Sequence, residues 1–335
     1  MCWWRGPIIQ VAAGTACQTE PTTGVAPPRE DGRFTAHDPI CPADGPGRIL
    51  EREGTLVLEL VDVGGLRVAL RRRGRGEPVL LVHGGMSDSR EWGPQVEDLS
   101  RDYDVVAVDV LGCGGSADPP EEFGLADHAH VLAGTLDALG VSSAHVIGQS
   151  LGSVLALALY REHPRTVRSL VLAGAYAGWA GSLPPDEVES RTRMVLETLE
   201  RPVQEWGPPF LATVHGVNAP AELVAASMAI LRDVRPEASR RLVLAIASAD
   251  LREMLPSIAV PVLLIYGQDD QRAPGAVSAQ LHAAIPGSKL VVVPGAGHAV
   301  NAEAPEEFDA AVRAFLRRSA AADPPDATPS ERGPR

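Results

Sequence analysis

The stretch Gly148-Gln149-Ser150-Leu151-Gly152 separates an apolar run that ends at His145-Val146-Ile147 from a second apolar run, 154–160, of helical character. A glycine-X-serine-X-glycine pattern between a strand and a helix predicts a tight turn with the serine at its apex. Each glycine removes a Cβ atom from the place where the strand and the helix cross. An ordinary strand-to-helix turn with a serine in it gives the same pentapeptide. The meaning of Ser150 therefore depends on its partners elsewhere in the chain.

The composition is that of a globular chain that can bury a large core. The sequence has 335 residues, of which 45% are hydrophobic and 22% are charged. This length fits one large domain or a domain with an insertion. The net charge of -13 argues against nucleic acid as a partner, because a polyanion repels an acidic protein. The four cysteines lack the paired spacing of zinc ligands, so no metal site is predicted.

Two interpretations of the amino-terminal segment stay open. Residues 1–52 are rich in proline and lack periodic apolar residues, which predicts a disordered leader on a cytoplasmic protein. Alternatively, residues 1–17 are a signal that leads to export and to a lipid anchor at Cys17. Only the second interpretation predicts contact with a membrane. No uninterrupted apolar run is long enough to span a bilayer.

Apolar runs that predict strands alternate with amphipathic segments that predict helices. Strands are predicted at 56–63, 66–70, 79–82, 105–109, 145–147, 169–173, 260–266 and 289–293. Helices are predicted at 95–99, 122–139, 154–163, 276–284 and 305–317. This alternation indicates an α/β fold with a mostly parallel sheet covered by helices on both faces. The tail, 319–335, is predicted to be disordered.

The alternation stops between Ala173 and Val260, where the chain has about 85 residues without a strand pattern, too many for a plain connection. Periodicity predicts helices at 187–199, 219–231 and 238–246. We therefore expect a helical cap at 176–257, inserted into a core formed by 53–175 and 258–318. Several apolar residues of the cap are expected to roof a pocket: Met194, Leu196, Trp206, Phe210 and Met228.

The candidate partners of Ser150 follow it in the chain. A serine hydroxyl needs a general base to become a nucleophile, and the base needs an acid that orients it. His298 follows the last predicted strand, and Asp270 follows the strand before it. Because the carboxyl ends of parallel strands meet at one edge of a sheet, we expect the three side chains to lie close together.

From about Thr55 to Arg318 the chain resembles the α/β-hydrolase superfamily. Five motifs in the expected order carry this resemblance: 82–85 (Val-His-Gly-Gly), Asp109 with 111–116, the pentapeptide at 148–152, 266–270 with Pro274, and 295–298 (Gly-Ala-Gly-His). The resemblance implies an eight-stranded, mostly parallel sheet with an inserted cap. It also implies that Ser150 is the nucleophile, Asp270 the acid and His298 the base. Asp270 is preferred to Asp269 because the family's acid stands four residues before the proline.

The resemblance also implies an oxyanion hole made of two backbone amides. One belongs to Leu151, which follows the nucleophile, and the other to Gly85, with Met86 as the alternative if the loop register is shifted. His83 is expected to be a structural member of this loop. Asp109 is expected to be a turn residue at the end of its strand.

Three further histidines have no predicted place in the catalytic machinery. His128 and His130 lie in a helix pattern typical of the surface and are expected to be solvated. His215 lies in the predicted cap, where it either contacts substrate or forms part of the polar surface.

The sequence predicts a serine hydrolase that cleaves an ester-type bond of a small, hydrophobic substrate and needs no cofactor. The same residues would serve a thioesterase or a lactonase. A third possibility is a lyase or a ligand-binding protein, in which the pocket is kept and attack by water is suppressed. An aspartate in place of Ser150 would have indicated an alkyl-enzyme ester instead.

Overall fold

The computed structural model describes residues 57–322. The predicted leader, the predicted lipid anchor at Cys17 and most of the predicted tail lie outside this range. No helix within it is long and apolar enough to cross a membrane.

Eight strands form one sheet in the order β1-β2-β4-β3-β5-β6-β7-β8. They are β1 (Glu59–Val63), β2 (Leu66–Gly74), β3 (Glu77–Val82), β4 (Tyr103–Val108), β5 (Ala144–Gln149), β6 (Val167–Ala173), β7 (Val262–Gly267) and β8 (Lys289–Val293). β2 pairs antiparallel with both of its neighbours, and all other neighbouring strands pair in parallel. This confirms the predicted eight-stranded, mostly parallel sheet.

Helices cover the sheet. They are α1 (Gly93–Leu99), α2 (Leu125–Ala138), α3 (Leu151–Glu162), α4 (Pro185–Leu199), α5 (Val203–Val214), α6 (Ala221–Leu231), α7 (Pro236–Ser248), α8 (Gly275–Ala284), α9 (Val300–Glu303) and α10 (Pro305–Ala322). α10 runs five residues past its predicted end at Arg317. Its last turns hold Ser319, which is buried and donates a hydrogen bond to the carbonyl oxygen of Phe315. The first four residues of the predicted tail are therefore helical.

The two faces of the sheet carry separate apolar cores, and successive strand residues alternate between them. In β3, Leu80 and Val82 belong to the core beneath α2 and α3, whereas Val79 and Leu81 belong to the core that contains Phe308 of α10. All four strand residues are fully buried. A strand of a sheet that is covered on both faces is apolar throughout, which explains why the sequence shows β3 as a continuous apolar run.

Helices α4 to α7 enter the chain between β6 and β7, and we call residues 185–248 the helical insertion. The sequence predicted three of these helices but not α5. Gly207, Pro208 and Pro209 lie inside α5, and this combination normally ends a helix because proline cannot donate the backbone hydrogen bond. Tertiary packing outweighs that preference here. Trp206 and Leu211 of α5 are buried in a small apolar cluster that also contains Met86 of the core.

Candidate active site

The turn after β5 holds Ser150 in a strained backbone conformation. Its φ of 51° and ψ of -112° lie where residues other than glycine are uncommon. The Ser150 amide donates a 2.8 Å hydrogen bond to the carbonyl oxygen of Ala173, which fixes the turn to β6. A Cβ atom on Gly148 would collide with the backbone of Gly152, and one on Gly152 would collide with the carbonyl oxygen of Val82. The two glycines are therefore required by the crossing, as the pentapeptide predicted.

Backbone strain is concentrated at one place in the molecule. Among the described residues, Met86 and Ser150 are the two non-glycine residues with a positive φ, at 57° and 51°. Both line the same cavity. Strained backbone conformations persist where the surrounding structure enforces them, and they are common at functional sites.

Asp270 and His298 form a buried pair at the carboxyl edge of the sheet. His298 Nδ1 lies 2.8 Å from Asp270 Oδ2, and both side chains are at most 3% exposed. The other carboxylate oxygen, Oδ1, accepts hydrogen bonds from the amides of Arg272 and Ala273. Burial raises the pKa of Asp270, but the hydrogen bond and charge of His298 and these two amides outweigh it and hold the pKa below its usual value. Asp270 is therefore an ionised carboxylate that accepts a hydrogen bond from Nδ1–H of His298.

The other ring nitrogen of His298 is free to act as a base. Because Nδ1 donates to Asp270, Nε2 carries the lone pair. Nε2 is enclosed and has no hydrogen-bond partner among the described residues. Ser150 and His298 both line the cavity, and no hydrogen bond joins them in this structure. Nucleophile and base commonly come within hydrogen-bond distance only when substrate is bound.

Side chains that the sequence analysis did not single out hold the loop of His298. Gln149 Nε2 donates a 3.1 Å hydrogen bond to the carbonyl oxygen of His298. Glu303 Oε2 accepts hydrogen bonds from the amides of Gly297, at 3.1 Å, and of Gly216, at 2.6 Å. Because Gly216 lies two residues after the insertion's α5 and Gly297 precedes His298, Glu303 joins the helical insertion to the loop of the predicted base. No sequence pattern signals this role, since Glu303 and Gly216 are 87 positions apart.

The predicted oxyanion hole lies beside the nucleophile. Leu151 is the first residue of α3, where backbone amides have no acceptor within the helix. Gly85 is close enough that a Cβ atom on it would lie 3.5 Å from the Leu151 side chain. Among the described residues, the amides of Gly85 and Met86 donate to no backbone carbonyl. Gly85 and Leu151 are thus free to bind a developing oxyanion, and Met86 stays the alternative to Gly85.

His83 supports this loop and is not among the residues that line the cavity. Its Nδ1 lies 2.7 Å from the carbonyl oxygen of Gly84, and its Nε2 accepts a hydrogen bond from the amide of Val110. Both ring nitrogens are therefore engaged with the backbone, as expected for a structural residue. Asp109 is buried at the end of β4, where its carboxylate accepts hydrogen bonds from the amides of Ser89 and Gly115.

The cavity has a volume of about 270 Å³, which suits a small substrate. Of the five apolar residues expected to roof it, only Phe210 lines it. Met194 is 59% exposed, and Trp206 and Met228 pack within the apolar cluster of the insertion. Periodicity identified the helices but not which side of each faces the cavity. The insertion residues that do line it include Val195, Leu211, Val214, Leu223, Ile230 and Leu231.

The predictions for His128 and His130 need correction, and the structure excludes one of the two alternatives for His215. His128 is buried and not solvated, and burial lowers its pKa to about 4. His130 is partly buried with its Nδ1 2.7 Å from Nε2 of His163. His215 is buried, lines the cavity and lies 2.9 Å from the hydroxyl of Ser227, so it is not part of the polar surface. Contacts between helices bury these histidines, and the local sequence pattern does not reveal such contacts.

The described residues contain no group of three or more histidine, cysteine or acidic side chains arranged to hold a metal ion. What the cavity offers is a strained serine, a histidine with a free ring nitrogen, a carboxylate that orients the histidine, and unpaired amides. This is the arrangement used for acyl transfer to a serine.

Comparison with known proteins shows that the chain is similar to proteins named as hydrolases and esterases. A curated relative from Cronobacter sakazakii, named "Putative carbamate hydrolase RutD", is 32% identical over 257 residues, which are 72% of this chain and 91% of the relative. Among solved structures, a hydrolase from Pseudomonas aeruginosa shares 29% identity with a TM-score of 0.68, covering 79% of this chain and 99% of that one. A thermophilic esterase from Thermogutta terrifontis shares 27% identity with a TM-score of 0.70 and the same coverage.

The model of the alpha/beta hydrolase fold family matches residues 77–305. This range begins at β3 and includes the pentapeptide, Asp270 and His298. The chain therefore belongs to the alpha/beta hydrolase fold family.

Proposed function

We propose that this protein is a serine hydrolase that cleaves an ester-type bond of a small-molecule substrate through an acyl-enzyme intermediate. The observation that carries the proposal is the free Nε2 of His298, a residue that lines the same cavity as Ser150 at its strained turn. Family membership and the esterases among the structural neighbours support it.

In the first half of the reaction, His298 Nε2 takes the proton of the Ser150 hydroxyl while Ser150 Oγ attacks the substrate carbonyl carbon. The carbonyl oxygen becomes an oxyanion, which the amides of Leu151 and Gly85 stabilise by about 3 kcal/mol each. Asp270 stabilises the imidazolium and remains ionised. The intermediate collapses when the bond to the leaving alcohol breaks and His298 gives its proton to that alcohol.

In the second half, water replaces the alcohol. His298 takes a proton from the water, whose oxygen attacks the acyl carbon, and the same amides hold the second oxyanion. The bond between the acyl carbon and Ser150 Oγ then breaks, and Ser150 recovers its proton from His298. The products are one acid and one alcohol, and the residues return to their starting protonation states.

Cleavage of a carbamate is a second candidate, because several curated relatives are named for that activity. A carbamate presents the same kind of carbonyl carbon to Ser150. Comparing the rates for a p-nitrophenyl ester and for a p-nitrophenyl carbamate of matched size separates the two candidates.

A fluorophosphonate probe tests the nucleophile, since it reacts with activated serines. We expect covalent labelling of Ser150 by mass spectrometry and turnover of p-nitrophenyl butyrate by the wild-type protein. Ser150→Ala should lower that turnover by at least about 1,000-fold. Ser248→Ala, at an exposed serine of α7, is the control and should leave turnover unchanged. Folded protein that is neither labelled nor active on esters and carbamates would contradict the proposal.

A further inference from the structure

Arg272 brings a positive charge to a cavity with mostly apolar walls. It follows the predicted acid by two residues, in the loop between β7 and α8, and it lines the cavity together with Ser150 and His298. Burial lowers the pKa of the guanidinium, though an arginine remains charged at neutral pH. Burying a cation costs free energy unless it forms an ion pair with an anion or donates hydrogen bonds to several acceptors.

The protein holds this guanidinium in place without neutralising it. Arg272 Nη1 donates a 3.0 Å hydrogen bond to the hydroxyl of Thr213, and the guanidinium carbon lies 4.9 Å from the ring centroid of Phe210. Both partners belong to α5 of the insertion and are neutral. No carboxylate of the described chain forms an ion pair with Arg272, and Thr213 is the partner of its one side-chain hydrogen bond there.

The nearest acidic groups do not supply the missing counter-charge. The carboxylate of Asp270 is already bound by His298 Nδ1 and by two backbone amides. Tyr176 donates its hydroxyl to the carbonyl oxygen of Arg272, and burial raises its pKa to about 12, so it is neutral. Arg191, which contacts the same carbonyl oxygen, is itself positive and pairs with Glu187.

The other charged side chains that line the cavity contrast with Arg272. Arg90 pairs with two carboxylates, those of Asp88 and Asp233. Glu91 contacts the loop of the predicted oxyanion hole, where it accepts a hydrogen bond from the amide of Gly84. Burial raises the pKa of Glu91. Among the described residues, Arg272 is therefore the cavity-lining arginine that forms no ion pair with a carboxylate.

The free atoms of the guanidinium are open to a ligand. Nε and Nη2 donate to no protein acceptor among the described residues, and neither is among the polar atoms sealed from solvent there. Nε and Nη2 lie on one edge of the planar guanidinium, and their N–H groups can donate two parallel hydrogen bonds to the two oxygens of a carboxylate.

We propose that Arg272 is a specificity-determining residue that binds a carboxylate on the substrate, so that the preferred esters are anionic. This inference rests on the proposed function, because it assigns a substrate class to the same cavity. It also refines the sequence prediction of a simply hydrophobic substrate. Apolar walls would hold the carbon skeleton while Arg272 selects for the charge.

Two matched pairs of esters test the proposal. In the first, mono-p-nitrophenyl adipate carries a carboxylate on its acyl chain and p-nitrophenyl heptanoate does not. In the second, 4-acetoxybenzoate carries the carboxylate on its leaving group and 4-methylphenyl acetate does not. For at least one pair we expect the wild-type kcat/KM to favour the anionic ester, and Arg272→Met to lower that preference by about 10- to 100-fold.

Controls separate charge recognition from folding. Arg272→Met keeps an unbranched side chain to pack on Phe210, and any general loss of folding or packing would slow the anionic and the neutral ester of each pair alike, leaving their ratio unchanged. Arg272→Lys keeps the charge but loses the fork, and it should retain part of the preference. Arg193→Met makes the same change in net charge on the exposed face of α4 and should leave every rate unchanged.

Arg272→Met lowering both members of each pair equally, or leaving the wild-type ratios intact, would overturn the inference. Labelling of Ser150 with turnover of neutral esters would in that case leave the proposed function standing. If the wild-type protein cleaves none of the four esters, calorimetry with Ser150→Ala protein still decides. Monomethyl adipate should bind at least about 10-fold more tightly than dimethyl adipate, and Arg272→Met should abolish that difference. Equal binding of the two esters would also contradict the proposal.

Discussion

The cavity has two walls that are built from different parts of the chain. On the sheet side, backbone contacts fix the wall: the Ser150 amide donates a hydrogen bond to the carbonyl oxygen of Ala173 in β6, and Gly152 packs against the backbone of Val82. On the insertion side, side chains form it. Gly207 of α5 shows the difference, because the nearest atoms to a Cβ atom there would be side-chain atoms, the end of Met228 at 2.9 Å and Leu231 at 3.6 Å.

This difference separates the chemistry from the choice of substrate. Hydrogen bonds between strands fix a backbone-built wall, so Ser150, Leu151 and the loop of His298 have little freedom to move. A wall of side chains from four helices can change its shape by substitution at small cost. We therefore expect most changes on the sheet side to remove activity or stability, and changes on the insertion side to alter selectivity. The side chain of Arg272 is the exception, because it starts from the loop after β7 but contacts Thr213 and Phe210 of α5 and is proposed to select the substrate.

The largest effect should come from Asp270 on the sheet side. Asp270→Asn keeps the shape of the side chain but removes the charge that orients His298, so kcat for a p-nitrophenyl ester should fall by about 1,000- to 10,000-fold. Asp269→Asn is the matched control, because Asp269 is exposed and adjacent in the chain. Equal losses in the two variants, or a loss only at Asp269, would show that the acid was assigned to the wrong residue.

The same variant has a predicted effect on stability below neutral pH. The pKa of Asp270 is lower in the folded protein than in the unfolded chain, so the unfolded state binds the proton more readily. This group contributes stability above its unfolded pKa, and that contribution is lost as the pH falls through the folded pKa. In urea titrations between pH 7 and pH 3, the wild-type protein should lose more stability than Asp270→Asn. Parallel curves would contradict the direction of the shift.

A pair of glycine substitutions tests the contrast between the walls directly. Gly152→Ala places a methyl group against the carbonyl oxygens of Val82 and His83, and we expect a loss of about 3 kcal/mol or more in the free energy of unfolding. Gly207→Ala meets a flexible side chain, and alanine favours the helix by about 1 kcal/mol, so stability should stay within about 1 kcal/mol of wild type. Urea denaturation measures both. Similar losses in the two variants would remove the distinction.

The sheet side was also the part that the sequence predicted best. Continuous apolar runs predicted the central strands, since a strand buried on both faces has to be apolar throughout, and alternation around Gly64-Gly65 predicted β1 and β2. Ser150, Asp270 and His298 could be chosen because each directly follows such a strand, or lies in the short loop after it. Local sequence was enough there, because parallel strands bring their ends together wherever they stand in the chain.

The insertion was predicted less well because its structure depends on contacts between distant residues. Because Pro208 and Pro209 normally end a helix, α5 was not predicted. Periodicity predicted α4 but could not show that Val195, not Met194, lines the cavity. The interactions of Arg272 with Thr213 and of Glu303 with Gly216 join the core to the insertion. Such contacts leave no mark on the local pattern of either segment.

Glu303 joins the two walls, so it tests whether they act independently. Its Oε2 accepts hydrogen bonds from Gly297, beside the predicted base, and from Gly216, after α5 of the insertion. Glu303→Gln keeps the shape but makes both hydrogen bonds weaker, because the acceptor loses its charge. We expect kcat to fall by about 5- to 20-fold, with a stability loss of about 1 to 2 kcal/mol.

The labelling rate of Ser150 by a fluorophosphonate distinguishes positioning from a merely structural role. If Glu303 positions His298, labelling should slow in parallel with kcat, and Glu303→Ala should be slower than Glu303→Gln. Glu306→Gln, at an exposed carboxylate of α10, should match wild type. A loss of stability with unchanged kcat and labelling would mean that Glu303 only attaches the insertion. In that case the sheet-side wall would keep its geometry whatever happens to the insertion.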